Sequence, residues 1–350
     1  MVRDRALSMI GISKHQYYYQ PTGKRSGRKP TKTTMRNLSG VLVEVSEPEL
    51  AEQIVVIQSD PDTNYGYHKM CTALMLMGYY INHKKLYRIM DLYYLLKERN
   101  KRSEKTYAKY RIVTPQGPLR LIEMDIKYVW VTQAGRYAFV LTIIDTFTRF
   151  VLNYQVGFTM KNTQVRHAWN QVIEQYLQAR DLLREQINIE VRNDNGPQFC
   201  AKIIQEYFQQ NHLNQVFTHP YTPQENGHVE SFHAILSSAL NKEYWDLQDL
   251  EERLKVFYHK YNEVRLHGSI ANLPPKLFWD LWEQGKITRN ELKNKKVKFT
   301  LNIPYQDISG NRKLREVPCL KKVNGSKTRL LEQLSVQKSP SVALADTMLL

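Results

Sequence analysis

Residues 121–156 place three β-prone segments in immediate succession, and no other stretch constrains the fold as tightly. The first, Leu121–Val131 (LIEMDIKYVWV), is apolar and rich in β-branched and aromatic residues; 136–145 and 148–156 follow after tight turns. Three such segments joined by short connections predict an antiparallel meander. A helix is expected over about 162–180, then an alternating strand over 187–192, a helix over about 198–211 and a strand over 213–218. Strands that give way to alternating helices and strands predict an α/β core, a mixed five-stranded sheet flanked by helices.

Carboxylates fall at the ends and centres of these elements. Asp125 lies in the middle of the first strand. Asp194 follows the 187–192 strand within Arg192-Asn193-Asp194-Asn195-Gly196-Pro197-Gln198-Phe199. Glu230 lies in Pro223-Gln224-Glu225-Asn226-Gly227-His228-Val229-Glu230-Ser231-Phe232-His233, with 35 residues between it and Asp194. Thr222, Pro223 and Glu225 form a helix-start pattern, an N-cap, a first-turn proline and a capping-box acid. Val229, Phe232, Leu236, Ala239 and Leu240 then share one apolar face, with Glu230 beside it. Three carboxylates delivered by different elements suit Mg2+, which takes oxygen ligands. Two such ions about 3.5–4 Å apart activate the attacking oxygen and stabilise the leaving one in phosphodiester chemistry. The candidate metal and catalytic ligands are therefore Asp125, Asp194 and Glu230. Strand alternation puts Glu123 on the same face as Asp125, so Glu123 stays open as an alternative, and Asp145 lies nearby. Asn195 and Gly196 are expected to shape the turn under Asp194, and Asn226 and His228 to line the site or touch DNA. His233 is open between a site role and packing. Tyr261, Asn262, Arg265 and His267 are expected to brace the core.

Upstream, 3–19 reads as a short helix pair with Ser13 capping the second, and 20–40 as a basic linker. Three helices are expected over about 47–58, 67–77 and after Asn82. A helix, a glycine turn at Gly78 and a basic helix carrying Lys84, Lys85 and Arg88 fit a helix-turn-helix DNA-binding unit.

Charge supports a polyanionic partner. The net charge of +16 is uneven: 21 Lys+Arg against 10 Asp+Glu over 1–120, 17 against 19 over 121–290, and 12 against 5 over 291–350. A near-neutral core between two basic arms assigns the holding of DNA to the arms. The three cysteines form no CxxC pair, which argues against structural zinc or a disulfide framework and fits a reducing cytosol. No apolar run is long enough to span a membrane, and a signal peptide is not expected.

With these blocks in hand, the chain resembles retroviral integrases and DDE transposases. It is most similar to the second-reading-frame catalytic proteins of the insertion-sequence-three family. The resemblance rests on the acids and on Thr63–Tyr67, Ile81–Met90, Ile144–Arg149, His219–His228 and Tyr261–His267, and covers roughly residues 5–280. It implies an RNase H-like catalytic core with Asp125, Asp194 and Glu230 as the metal triad. It also implies two Mg2+ ions, for which Mn2+ can substitute, and a direct attack by a 3′-hydroxyl on DNA. Terminal inverted repeats and target DNA are the implied substrates, with a homo-oligomer holding two ends, a first-reading-frame partner or frameshift fusion, and a bacterial cytoplasmic location. There are departures: Ile122 stands where relatives often carry Trp, Lys127 where they carry Thr, and Ala234 and Ser237 where they carry basic residues. Lys127 and Lys242 are the replacement candidates for DNA contact. The His2Cys2 zinc module of retroviral integrases and a long zipper are both absent. A nuclease that only hydrolyses, and a non-catalytic DNA-binding derivative, are the alternatives.

The expected boundaries are 1–40 for the helical segment and basic linker, 41–97 for an all-α helix-turn-helix region, and 98–119 for a linker. The catalytic core is expected over 120–285 and a basic C-terminal region with a disordered tail over 286–350.

Overall fold

The computed structural model describes residues 3–20, 30–97, 115–218, 227–240, 242–292 and 297–308. The chain divides into two compact units, Met1–Thr33 and Thr34–Leu350. The first holds α1 (Arg3–Met9) and α2 (Lys14–Tyr18). Ser13 closes a capping box with Gln16 at the start of α2, satisfying amides that a helix start leaves without partners.

In the second unit, β1 (Thr33–Leu38) and β2 (Val41–Ser46) form a two-stranded sheet ahead of α3 (Glu47–Ser59), α4 (Tyr67–Leu76) and α5 (His83–Leu92). The three helices lie close to their expected spans. The strands were not anticipated: the expected linker ends in β1, and the region expected to be all-helical opens with β2. The two residues between them, Ser39 and Gly40, both have positive φ, the backbone of a tight hairpin turn, and neither spelled a strong turn motif. Gly78 ends α4 at φ +91°, and a Cβ there would stand 2.5 Å from the Asn37 carbonyl oxygen of β1. The contact is obligatory, because Asn37 N–H donates to the Gly78 carbonyl (2.9 Å) and Tyr80 N–H to that of Met35 (2.9 Å). Gly78→Ala is expected to cost about 2–4 kcal/mol from backbone strain and overpacking together. Thermal unfolding of the purified chain checks this; a midpoint equal to wild type would sink it.

The central sheet contains β3 (Leu121–Val131), β4 (Arg136–Asp145), β5 (Val151–Gly157), β6 (Ile189–Asn193) and β7 (Leu213–Phe217) in the order β5-β4-β3-β6-β7. The β5-β4-β3 meander is antiparallel, and β6 and β7 add parallel to β3. This is the mixed five-stranded, RNase H-like sheet expected above. Strand alternation divides β3 between two cores. Ile122, Met124 and Ile126 pack with Leu141, Ile143, Trp169 and Phe208 under α6 (Asn162–Val172) and α8 (Lys202–Gln210). The opposite face meets α9 (Gly227–Ala239) and α10 (Leu247–Glu263) through Val131, Val140, Phe232, Leu236 and Tyr258. The helix expected over 198–211 is broken at Ala201, whose extended backbone separates Pro197–Cys200 (α7) from α8. Its carbonyl then accepts from Ile204 and Gln205 at the start of α8.

A third core joins α3–α5 to the segment after α10. Leu50, Ile54, Leu74, Leu86 and Ile89 pack in one cluster with Leu266, Ile270 and Phe278 of α11 (Pro275–Glu283). The strand pair β8 (Ile287–Glu291) and β9 (Val297–Leu301) and the short α12 (Tyr305–Ile308) complete it. The N-terminal helices are thus part of the same hydrophobic body as the chain beyond the catalytic elements. The expected helix start at Thr222–Glu225, most of the 98–119 linker and the tail beyond 308 lie outside the described residues.

Candidate active site

The site is built where β3 and β6 run side by side. Their parallel register ends with Glu123 opposite Arg192, and Asp125 and Asp194 each follow two residues beyond that pair. Asp194 lies one residue past β6, in a turn held from three sides. Asn193, fully buried, donates to the Asp194 carbonyl (2.7 Å), and Gly196 N–H donates to Asp194 Oδ1 (3.1 Å). Asn195 donates to the Thr218 carbonyl (3.1 Å). A side chain at Gly196 would enter Asp194 Oδ1 at 3.1 Å and the Gln198 amide at 2.4 Å, so the turn suits glycine.

Glu230 comes from the first turn of α9, which packs on β3. Asp125 is the common neighbour of the other two acids. Burial raises the Asp194 carboxyl, and the charge of Asp125 raises it further against the pull of the Gly196 amide. Burial also raises Glu230, followed by the charges of Asp125 and then Glu123, with His233 opposing. Three hard oxygen donors that repel one another are what a divalent cation would stabilise. Among the described residues, no group of three or more His, Cys, Asp or Glu side chains is placed as a formed metal site. The oxygen-donor chemistry of the three acids is of the kind that suits a divalent cation. His233, one helical turn after Glu230, brings Nδ1 to 3.3 Å from Asp125 Oδ2, and Asp125 Oδ1 accepts from the Ile126 amide (2.8 Å).

Two integrase core domain family models match the chain, over residues 115–223 and 211–275, and together they span every element just described. Residues 115–275 of the chain carry an integrase core domain. A 39.2 kDa protein of insertion element IS476 from Xanthomonas euvesicatoria is 24% identical over 277 residues, 78% of this chain and 71% of that protein. The putative transposase InsK of insertion sequence IS150 from Escherichia coli K12 is 22% identical over 273 residues, 74% of this chain and 93% of that one. Among solved structures, the catalytic core domain of BIV integrase aligns at 22% identity and a TM-score of 0.35, covering 48% of this chain and 98% of that chain.

Glu123 and Asp125, on one face of β3, have different surroundings. Glu123 is 1% exposed and faces away from solvent. Its Oε2 accepts from the backbone N–H of Val229 (2.8 Å) and of His228 (3.1 Å), and Oε1 meets His228 Nδ1 at 2.9 Å. Burial pushes its carboxyl up to about 7, opposed by the Val229 amide and by Arg149 and Arg192. Asp145 is likewise enclosed: it accepts from Leu119 N–H (3.0 Å), Thr148 N–H (2.9 Å) and Thr148 Oγ (2.6 Å), forming the turn that ends β4.

The expected DNA contacts fare unevenly. Lys84 and Lys242 are exposed, and Lys127 is half-buried on the Asp125 face of β3. Lys85 is half-buried on α5 near the Glu47 charge. Arg88 pairs bidentately with Glu47 and so fastens α5 to α3. His228, expected to line the site or touch DNA, turns its Nδ1 to Glu123. Asn226 lies outside the described residues.

Tyr261, Asn262, Arg265 and His267 brace the core. Asn262 exchanges both backbone hydrogen bonds of Val151 (2.9 Å each), and Arg265 donates to the Asp62 carbonyl (2.7 Å). His267 is buried against Tyr261. Desolvation first, then Arg265, Lys69 and Arg149, hold its imidazole well below the ordinary 6.5. A histidine kept neutral when folded binds fewer protons than the unfolded chain once pH falls below 6.5, so its contribution is lost from there downward. His267→Phe is expected to shrink the fall in unfolding free energy between pH 6.5 and 5 by up to about 1.4 kcal/mol per pH unit. Urea denaturation at both pH values checks this; an unchanged pH slope would refute it.

Proposed function

We propose that the chain cleaves and joins DNA strands at the terminal inverted repeats of its own insertion sequence, within the insertion-sequence-three family, using Mg2+. The observation that carries this reading is the convergence of three acids from different elements: Asp125 in β3, Asp194 in the turn just past the neighbouring parallel strand β6, and Glu230 in the first turn of α9, with Asp125 close enough to both others for their charges to interact. Asp125, the neighbour of both other acids, would hold the metal together with Asp194 and Glu230. Bound Mg2+ would activate the attacking water or 3′-hydroxyl and stabilise the leaving oxygen. The residues themselves supply placement. The Asn193–Gly196 turn aims Asp194, β3 holds Asp125 in a strand buried on both sides, and α9 presents Glu230. In-line attack by a DNA 3′-hydroxyl needs no nucleophilic side chain, and no covalent protein–DNA intermediate is invoked.

DNA would be held outside the near-neutral core. The proposed division assigns 41–97 to DNA binding through exposed Lys84 and its neighbours, 120–285 to chemistry and 286–350 to a basic arm. Because α3–α5 share a core with α11, the DNA-binding helices would move as one piece with the catalytic body. Mn2+ would replace Mg2+, and two copies on two DNA ends, in the bacterial cytoplasm, with or without a first-reading-frame partner, make up the working assembly. No helix among the described residues is long and apolar enough to cross a membrane.

The test is strand transfer by the purified full chain on labelled terminal-repeat DNA with Mg2+. Joined products support the reading. Cleavage without joining favours a nuclease, and binding with no chemistry, unrelieved by adding the first-frame protein, would overturn it.

A further inference from the structure

We infer that Glu123 is a positioning residue: a clamp that docks the first turn of α9 onto β3 and thereby sets where Glu230 stands relative to Asp125. The inference rests on the proposed triad but concerns a residue outside it. A helix start leaves backbone amides without intrahelical acceptors, and a short polar side chain just before the helix ordinarily takes them. Here the acceptor comes from 105 residues away in sequence. Glu123 Oε2 receives both the His228 and Val229 amides, and Oε1 takes the His228 ring. The negative carboxylate also lies at the positive end of the α9 dipole, which adds to the hold.

Position on the strand gives the clamp its consequence. Glu123 and Asp125 are two apart on one face of β3, and Val229 immediately precedes Glu230. One rigid strand therefore carries both a proposed ligand and the dock for the helix that brings another. A second rung, His233 Nδ1 to Asp125 Oδ2 at 3.3 Å, lies one turn further along α9. Glu230 falls between the two rungs. Positive field for the buried carboxylate comes from Arg149 and Arg192, the latter reaching Glu123 across the β3–β6 register. Both Glu123 oxygens are engaged by α9, so Glu123 acts as a positioning residue and not as a ligand.

The test compares Glu123→Ala and Glu123→Gln with wild type in the full chain, by amide hydrogen exchange and by calorimetric titration with Mn2+ alone. Gln keeps an oxygen for the two amides and can offer its NH2 to an acceptor tautomer of His228, whereas Ala keeps nothing. Glu123→Ala is expected to speed exchange over 227–233 and to weaken Mn2+ binding by about tenfold or more, the usual effect of losing a residue that orients a ligand. Glu123→Gln is expected to restore both to near wild type, with half-saturating Mn2+ in strand transfer unchanged. Unaltered exchange and affinity in the Ala variant would overturn the clamp. So would a Gln variant as damaged as Asp125→Asn, because that marks Glu123 as a ligand. Should the Ala variant not fold, Glu123→Asp, which withdraws the carboxylate by one methylene, gives an intermediate loss in the same two readouts, and no loss there overturns the proposal. The exchange pattern does not depend on the reaction: a wild type that holds α9 but joins no DNA would refute the proposed function and leave the clamp standing.

Discussion

Asp194→Asn is expected to lower strand cleavage and joining by on the order of 10³-fold or more while leaving the fold intact. The two outcomes separate because Asn preserves the structural work of Asp194. Its amide oxygen still accepts from Gly196 N–H, and the Asn193 and Asn195 contacts use neighbouring groups. Only the negative charge is lost. That charge stands close enough to Asp125 for the two to repel, and without metal the repulsion opposes folding. The metal-free variant is therefore expected to melt at or above the wild-type midpoint, a stability–activity trade-off typical of catalytic carboxylates. Asp125→Asn and Glu230→Gln should behave alike. Denaturing gels of labelled terminal-repeat DNA beside thermal melts decide the matter. Retention of more than a tenth of wild-type joining, or a large drop in midpoint, would remove Asp194 from the proposed triad.

Arg253→Ala is expected to cost about 3 kcal/mol, the largest stability loss of any surface-reaching side chain discussed here. Asp62 is 3% exposed, and Arg253 meets both its carboxylate oxygens at 3.2 Å while also donating to the Ala239 carbonyl. Lys260 adds a bond to Asp60 (2.7 Å) and a longer approach to Asp62 (3.5 Å). These links join the loop between α3 and α4 to α10. Truncating Arg253 leaves a buried carboxylate with only the distant Lys260, which is the costly way to break such a pair. In a body of this size the midpoint is expected to fall by roughly 6–12 °C. Pairing Arg253→Leu with Asp62→Leu should recover much of the loss, because an apolar replacement of both partners leaves no uncompensated charge. Thermal denaturation of the single and double variants checks this, and a single-variant cost below about 1 kcal/mol would show that water already reaches Asp62.

The catalytic body was legible because its signals are local and periodic. The apolar meander of 121–156 announced three strands. Asp-Asn-Gly after an alternating strand announced a tight turn carrying an acid, and Val229, Phe232 and Leu236 announced a buried helix face. Asn82 announced the start of α5, where it caps Lys85 N–H at 2.9 Å. What escaped was set by neighbours far away in sequence. The β1–β2 hairpin lies largely exposed and is held by Gly78 pressed against Asn37. The break at Ala201 follows no proline or glycine. The pairing of Arg88 with Glu47 joins positions 41 residues apart, which no local pattern announces.

Glu123 shows where the division falls. Strand periodicity alone placed Glu123 and Asp125 on one face and named two candidate acids, because alternation is a property of the backbone itself. Choosing between them required knowing which carboxylate meets the free amides of a helix more than a hundred residues later, and that is a matter of packing. The reaction class, the antiparallel meander and the candidate acids are read from residue pattern, since local geometry and metal-ligand chemistry dictate them. The clamp on α9, the ion pairs joining the helical region to α10 and the shared core with α11 arise only when distant segments exclude water together. Burial then determines which charges are paired and which remain free to bind.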